Sequence, residues 1–277
     1  MQSVSPLSPA APWQGGKRHL AERLVARIEA IPHEIYAEPF IGMGGVFLRR
    51  RRRPRVEVIN DLARDVATFF RVLQRHPEAF IDEALRFRVA SREEFDRLQL
   101  VDPETLTDLE RSARFLYLQR VAYGGQVKKR TFGVDPGAPS RFIASRLDRQ
   151  LRAIHARLAG VIIERLPWSE FLEHYDRAGA LFYLDPPYYG CEDDYGKGMF
   201  GRADFRRMAE ALATLKGRFL LSLNDTPAVR EIFAAFSIES VETRYTIGNA
   251  DRGAAAKEVI ISDGPRPGDG FGQLGFL

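Results

Sequence analysis

The sequence predicts an α/β fold: a mixed, mainly parallel sheet flanked by helices, with an inserted, mainly helical region. Three observations predict it. Short apolar runs alternate with helical periodicity at both ends of the chain, strand signals vanish from Pro77 to Gly124, and the last two extended runs have no helix between them. The 277 residues, 45% hydrophobic, are enough for one large α/β domain carrying an insertion.

Taken in order, Glu34 to Phe40 reads as a short strand, followed by the turn Ile41-Gly42-Met43-Gly44-Gly45 and a helical pattern from about Val46. Arg55 to Ile59 alternates charge with Val and Ile, ends at Asn60-Asp61 and leads into a helix through about Gln74. This β-α-β-α order implies parallel strands. In the insertion, Phe80–Leu85, Glu93–Leu98 and Leu109–Val121 have helical spacing, and the basic, loop-rich stretch Tyr123 to Arg146 precedes another helix through Leu158. Alternation resumes with strands at Val161–Leu166, Leu181–Leu184 and Arg218–Leu223, and helices from Ser169, Ala203 and Ala228. Ser237–Ile247 and Lys257–Ser262 then predict an antiparallel hairpin at one side of the sheet. The expected division is a discontinuous core, 12–76 and 156–263, an insertion, 77–155, and flexible tails at 1–11 and 264–277.

Composition narrows the function. The net charge of +4 and pI of 9.3, with clusters such as Lys128-Lys129-Arg130, suit local contact with phosphate. One cysteine, Cys191, excludes an intramolecular disulfide and a cysteine-based zinc cluster, and the five scattered histidines lack ligand spacing, so no metal is expected. Met1 to Ala11 lacks the pattern of a secretory signal and no run approaches the ~20 apolar residues of a membrane span, which predicts a soluble, cytoplasmic protein.

The chemistry is concentrated in Asp185-Pro186-Pro187-Tyr188, directly after the apolar run Leu181-Phe182-Tyr183-Leu184. Two prolines end the strand at Asp185 and leave the Pro186 carbonyl without a ladder partner. A carboxylate beside a carbonyl accepts only, which suits an exocyclic nucleobase amine, and Tyr188 offers a face on which the base can stack. Open α/β sheets bind ligands at the carboxyl ends of their strands, where the glycine turn, Asp61 and Asp185 should converge. Glycines admit a ligand close to the backbone, and an acid after the second strand suits a ribose diol; without a pyrophosphate-type glycine spacing, a nucleoside cofactor is expected.

The segments Pro12-Trp13-Gln14-Gly15-Gly16-Lys17, Glu38 to Leu48 and Asp185 to Tyr188, in that order, resemble a Dam-type DNA adenine-N6 methyltransferase. The likeness continues through Phe115 to Arg120, Leu221 to Thr226 and Lys257 to Ile260. It implies the class I methyltransferase sheet, S-adenosylmethionine as cofactor, the insertion as target-recognition region, and double-stranded DNA as partner of a monomer or at most a weak dimer. It also implies that Trp13, Lys17, Glu38, Pro39, Phe40, Gly42, Gly44, Asp61 and Asp185 bind the cofactor, Lys17 near its methionine carboxylate. The ribose acid is Asp61 or its neighbour Asn60, because many relatives have Asp-x-Asn where this chain has Asn60-Asp61-Leu62-Ala63. Catalysis would rest on Asp185, Pro186 and Tyr188 acting on a flipped adenine.

Arg120, Tyr123, Lys128, Lys129, Arg130 and Arg141 are the candidate nucleic-acid contacts. Arg49 to Arg53 reads instead as a solvated run at the C-terminus of the first helix, and Tyr189 to Phe200 as a loop that closes over the base or faces solvent. Cys191 reads as incidental, and the histidines as surface or capping residues. Methylation of cytosine N4 or RNA adenine, or a non-catalytic subunit that binds nucleic acid, are the alternatives at this point.

Overall fold

A computed structural model of the chain describes residues 1–17, 20–87, 89–133, 137, 139–192, 198–244 and 255–265. The chain runs β1 (Gln2–Ser3), α1 (Ala21–Ala30), β2 (Ile35–Glu38), β3 (Arg52–Arg53), β4 (Val56–Asn60) and α2 (Arg64–Arg75), then α3 (Pro77–Leu85), α4 (Arg92–Leu100), α5 (Asp108–Val121) and α6 (Ala144–Arg157). It returns through β5 (Ile162–Glu164), α7 (Trp168–Tyr175), β6 (Ala180–Leu184), α8 (Arg202–Ala213), β7 (Arg218–Asn224) and α9 (Pro227–Ile232), and closes with β8 (Ser237–Arg244) and β9 (Ala255–Ser262).

Seven strands form the main sheet in the order β5-β4-β2-β6-β7-β9-β8. Neighbours from β5 to β7 are parallel, whereas β9 lies antiparallel to both β7 and β8, as the missing helix between the last two strands predicted. All five residues of β6 are buried, as the apolar run Ala-Leu-Phe-Tyr-Leu requires of a strand covered on both faces. Side chains alternate between two cores. Tyr36, Ile59, Leu181, Tyr183 and Ile260 enter one, and Ala37, Val58, Phe182, Leu184 and Ile261 enter the other.

The first core also takes the helices of the insertion. α5 starts at a capping box between Thr107 and Glu110 and buries Phe115, Leu116, Tyr117 and Leu118. It packs on α2, whose Phe69 and Phe70 are buried, and on α3 and α4. The second core lies under α7, α8 and α9 through Phe171, Phe205, Met208 and Val229.

The structure departs from the sequence reading near the N-terminus. In place of a helix after the glycine turn there is a single 3-10 turn, Phe47–Arg49, and the chain then extends into β3. The cause is Arg50, which is fully buried, donates to Glu57 at 2.8 Å and stacks 3.7 Å from the Tyr36 ring centre. The arginine run is therefore not a solvated helix end: Arg51 and Arg52 are exposed, but Arg53 also reaches Glu57, at 3.2 Å. Residues 1–11 likewise do not hang free. β1 pairs antiparallel with β3, Leu7 donates to Leu48 O at 2.7 Å, and Ala10 and Ala11 are buried. A short strand with an unpaired backbone edge takes these residues as its partner. The expected second tail lies, beyond Pro265, outside the described residues.

Candidate active site

The sheet reverses its winding between β2 and β6, and a cavity of about 1030 Å³ opens at the carboxyl ends of these strands. Trp13, Lys17, Glu38, Pro39, Phe40, Gly42, Asp61 and Asp185 all line it. Gly44 does not: a Cβ there would stand 3.1 Å from Leu48 Cδ1, so this glycine serves the packing of the turn. Pro186 and Tyr188 also lie off the cavity wall, next to Asp185 and Pro187, which are on it.

Gly42 is where the turn and the N-terminal segment meet. Its φ is +50°, and a Cβ at this position would lie 2.7 Å from the Trp13 indole nitrogen. Asp61 holds the turn from the other side: its carboxylate accepts from Gly42 N at 3.0 Å and Ala63 N at 2.9 Å. Burial pushes the Asp61 carboxyl up to about 6, against the pull of those two backbone donors. The Asn60 carboxamide is occupied by backbone, donating to Pro39 O and Leu166 O and accepting from Leu166 N.

Glu38 ends β2 with only 2% exposure and accepts from the Tyr36 hydroxyl at 2.6 Å. Burial pushes its pKa up to about 8; the hydrogen bond from Tyr36 opposes that rise, and the charge of Asp185 adds to it. A raised acid contributes stability that is complete below its unfolded pKa and is lost as the pH climbs through the folded one. Glu38→Gln should therefore gain stability relative to the wild type as the pH is raised from 4.5 to about 8, read by thermal unfolding of both proteins across that window. A pH-independent difference would show that Glu38 does not titrate in this range.

Asp185 emerges from β6 into a polar cluster. Its Oδ1 accepts from Lys17 Nζ at 2.7 Å and from Ser222 Oγ at 3.0 Å, and Ser222 is bonded in turn to the Tyr183 hydroxyl at 2.9 Å. Burial raises the Asp185 pKa, while the Lys17 charge and hydrogen bond lower it. Lys17 also donates to the Tyr188 hydroxyl at 2.8 Å and to Gly15 O at 3.1 Å, with its ammonium 4.5 Å from the Tyr188 ring centre. Asn224 clamps the next peptide, accepting from Tyr189 N and donating to Tyr189 O, both at 2.9 Å.

The insertion reaches the same cavity. The Gln119 carboxamide donates to Pro12 O at 2.9 Å and Gly125 O at 2.7 Å, and Gln150 donates to Ser8 O and Pro9 O at 3.2 and 2.8 Å. Two residues expected to meet phosphate are instead committed inside the protein. Arg120 donates to Ala10 O, to Arg141 O and to Gln150. Arg130 donates to Gln119 Oε1 at 3.2 Å, and burial draws its pKa down to about 10. Arg120 thus ties Ala10 and Arg141 to α5, and Arg130 holds the Gln119 carboxamide that binds Pro12 O and Gly125 O. Tyr123, Lys128, Lys129 and Arg141 are exposed.

In the loop after Tyr189, residues 193–197 lie outside the described residues; Glu192 pairs with Arg202 at 2.8 Å, and Phe200 packs on Phe40 with ring centres 5.8 Å apart. Cys191 is exposed. His33, in contrast to a surface role, is buried against Ile31 O, and burial lowers its pKa to about 4. His155 and His174 each donate from Nδ1 to a backbone carbonyl, of Leu73 at 3.0 Å and of Glu170 at 2.7 Å. Among the described residues there is no cluster of His, Cys, Asp and Glu able to hold a metal ion, and no helix long and apolar enough to cross a membrane.

Sequence reasoning missed Ser222, Glu258 and the wall segment Leu166 to Ser169. The first two carried a signal: each is a polar residue at a buried position of an apolar strand. The third follows β5 and so sits at a strand carboxyl end.

Residues 13–247 match the model of the family described as D12 class N6 adenine-specific DNA methyltransferase. Among curated proteins, the chain is 26% identical to the type II methyltransferase M1.LlaDCHI of Lactococcus lactis subsp. cremoris, over 93% of this chain and 96% of that one. It is 25% identical to a DNA adenine methylase of Vibrio cholerae, over 90% and 93%. The type II methyltransferase M.CviBI of Paramecium bursaria Chlorella virus NC1A is 21% identical over 86% and 91%.

Proposed function

Since the chain belongs to the D12 class N6 adenine-specific DNA methyltransferase family, and is thus an S-adenosylmethionine-dependent enzyme of the class I fold acting on adenine in DNA, we propose that the cavity between β2 and β6 holds the cofactor and the target adenine side by side. The observation that carries this reading is the convergence of Asp185, the Asp61-braced glycine turn and Glu38 on one wall.

The residues fit the cofactor's chemistry. Asp61 and Glu38 are acceptors for hydroxyl and ammonium groups, Lys17 is a cation for a carboxylate, and Gly42 lets Trp13 lie against the turn. When bound, S-adenosylmethionine supplies a methyl group on a sulfonium. The protein supplies geometry and electrostatics. Pro39 and Phe40 complete the wall from β2, with Phe40 braced by Phe200. Gly42→Ala should weaken cofactor binding by about tenfold or more, because a left-handed backbone and a clash with Trp13 together cost ~1–3 kcal/mol. Titration calorimetry checks this; unchanged affinity would place the cofactor elsewhere.

An adenine amine in a duplex is paired and out of reach, so the base is extruded into the cavity. Tyr188, half-buried beside Pro187 at the edge of the cavity, would stack on the flipped ring. Asp185 and the Pro186 carbonyl would accept from the amine, draw its lone pair out of conjugation and stabilise the positive charge that develops as nitrogen takes the methyl group; the C–S bond would break with its electron pair left on sulfur, and the surplus N–H proton would pass through Asp185 to solvent. No covalent enzyme intermediate is needed. Exposed Lys128, Lys129 and Arg141, with Tyr123, are the residues of the insertion that meet the double-stranded DNA.

The test is transfer of labelled methyl from S-adenosylmethionine to unmethylated duplex DNA with nucleoside analysis of the product. N6-methyladenine is the expected product. N4-methylcytosine, or labelling confined to RNA, would overturn the reading.

A further inference from the structure

Asp185 has one of its two carboxylate oxygens engaged and its charge paired where the reaction needs an unpaired anion. Its Oδ1 accepts from Lys17 at 2.7 Å and Ser222 at 3.0 Å, which fills both lone pairs of that oxygen. The ammonium also cancels the negative charge that would stabilise an amine becoming cationic. Oδ2 remains to accept from the amine, but the full charge of Asp185 is freed for it only if Lys17 withdraws, and a buried ammonium needs an anionic partner wherever it goes, the cofactor's carboxylate or an acid of the protein.

The structure holds a destination for it. Glu258, on β9, is 1% exposed and places Oε2 3.7 Å from Lys17 Nζ. That separation is a charge contact, longer than a hydrogen bond. Lys17 therefore sits off centre, bonded to Asp185 and one small swing from a second carboxylate. Glu258 arrives there by strand register: it pairs with Asn224 of β7, whose side chain clamps Tyr189. The alternation of β9 sends Val259 and Ile261 into one core and Ile260, with Glu258 in the same phase, to the opposite face. The glutamate thus stands in the buried phase that Ile260 occupies, where the strand meets Lys17.

We propose that Glu258 is a positioning residue: it takes over the Lys17 ammonium when the adenine amine enters, so that Asp185 meets the amine as an unmasked carboxylate. The exchange moves hydrogen bonds only. No covalent bond forms or breaks, no proton changes owner, and the summed charge of Lys17, Asp185 and Glu258 is the same before and after. The proposal rests on the assignment of Asp185 as amine acceptor.

The test is a set of single-turnover methylation assays on duplex DNA, with cofactor affinity measured separately, for Glu258→Gln, Glu258→Asp, Lys17→Met, the double variant Lys17→Met with Glu258→Gln, and Asp185→Ala. Glu258→Gln should slow methyl transfer by about 10- to 100-fold with cofactor affinity held, since the Lys17 ammonium loses the protein carboxylate that draws it away from Asp185. Glu258→Asp, which keeps the charge, should fall between it and the wild type. In the Lys17→Met background, where no ammonium has to move, Glu258→Gln should add no further loss.

A Glu258→Gln enzyme at the wild-type rate would overturn the proposal. So would losses that multiply in the double variant, the pattern of a residue that only supports the fold. If Glu258→Gln does not fold, Glu258→Asp in the two backgrounds carries the same comparison. Retained activity in Asp185→Ala would instead bring down the acceptor assignment itself, and the exchange with it, whatever Glu258 does.

Discussion

Asp185→Ala should reduce the rate of methyl transfer by about 10²- to 10³-fold or more, the scale on which removal of one preorganised electrostatic partner acts. Cofactor affinity should change far less, because Glu38, Asp61 and the glycine turn remain in place on the cavity wall. The loss then belongs to the rate and not to binding. Asp185 has to be ionised to stabilise a cationic amine. Burial raises its pKa, with Lys17 opposing that rise, so the wild-type rate should decline as the pH is lowered through the titration of this carboxyl. Single-turnover rates across a pH series, alongside the variant, give both results. An Asp185→Ala enzyme within a few-fold of the wild type would remove the central residue of the mechanism.

The largest effect on stability should come from Glu57, far from the chemistry. This carboxylate is 1% exposed and holds Arg157 through two hydrogen bonds of 2.6 Å, Arg50 at 2.8 Å and Arg53 at 3.2 Å. Arg50 and Arg157 are themselves buried, the first stacked on Tyr36 and the second over Phe47. Glu57→Ala leaves two interior guanidinium groups without a counter-charge, at a cost of about 3–5 kcal/mol. At about 2–4 °C of melting temperature per kcal/mol for chains of this size, the midpoint should fall by roughly 6–20 °C. Arg53→Ala, at the exposed rim of the cluster, should cost much less. Equal and small shifts for the two variants would mean that Glu57 is not the organising charge of this cluster.

The main elements were legible because they rest on local pattern. The β6 run, the Pro-Pro stop after Asp185 and the glycine turn after β2 each announce themselves within a few residues, and strand-end geometry then brings them to one edge. What the sequence did not disclose depends on distant partners. Arg50 looks like any arginine in a basic run until Glu57 and Tyr36 are seen around it. Arg120 and Arg130 look like phosphate contacts until Ala10 and Gln119 take up their donors. Residues 1–11 look loose because no local signal says that β3 needs a neighbour. Ser222 and Glu258 are of another kind: their polarity in a buried strand phase was visible, and only their convergence on Lys17 and Asp185 gave it a meaning.

The bonds from Gln119, Arg120 and Gln150 to residues 8–12 bear on how this enzyme can be re-engineered. Exchanging segment 77–155 for that of a relative looks like a clean way to graft a new recognition specificity onto an unchanged catalytic core. Those three side chains all belong to the exchanged piece, whereas the backbone they hold lines the cavity at the strand ends. A chimera has to carry residues 8–12 with the graft, or restore matching donors at positions 119, 120 and 150. The two modules do not have separable boundaries here, and the N-terminal dozen residues belong to both.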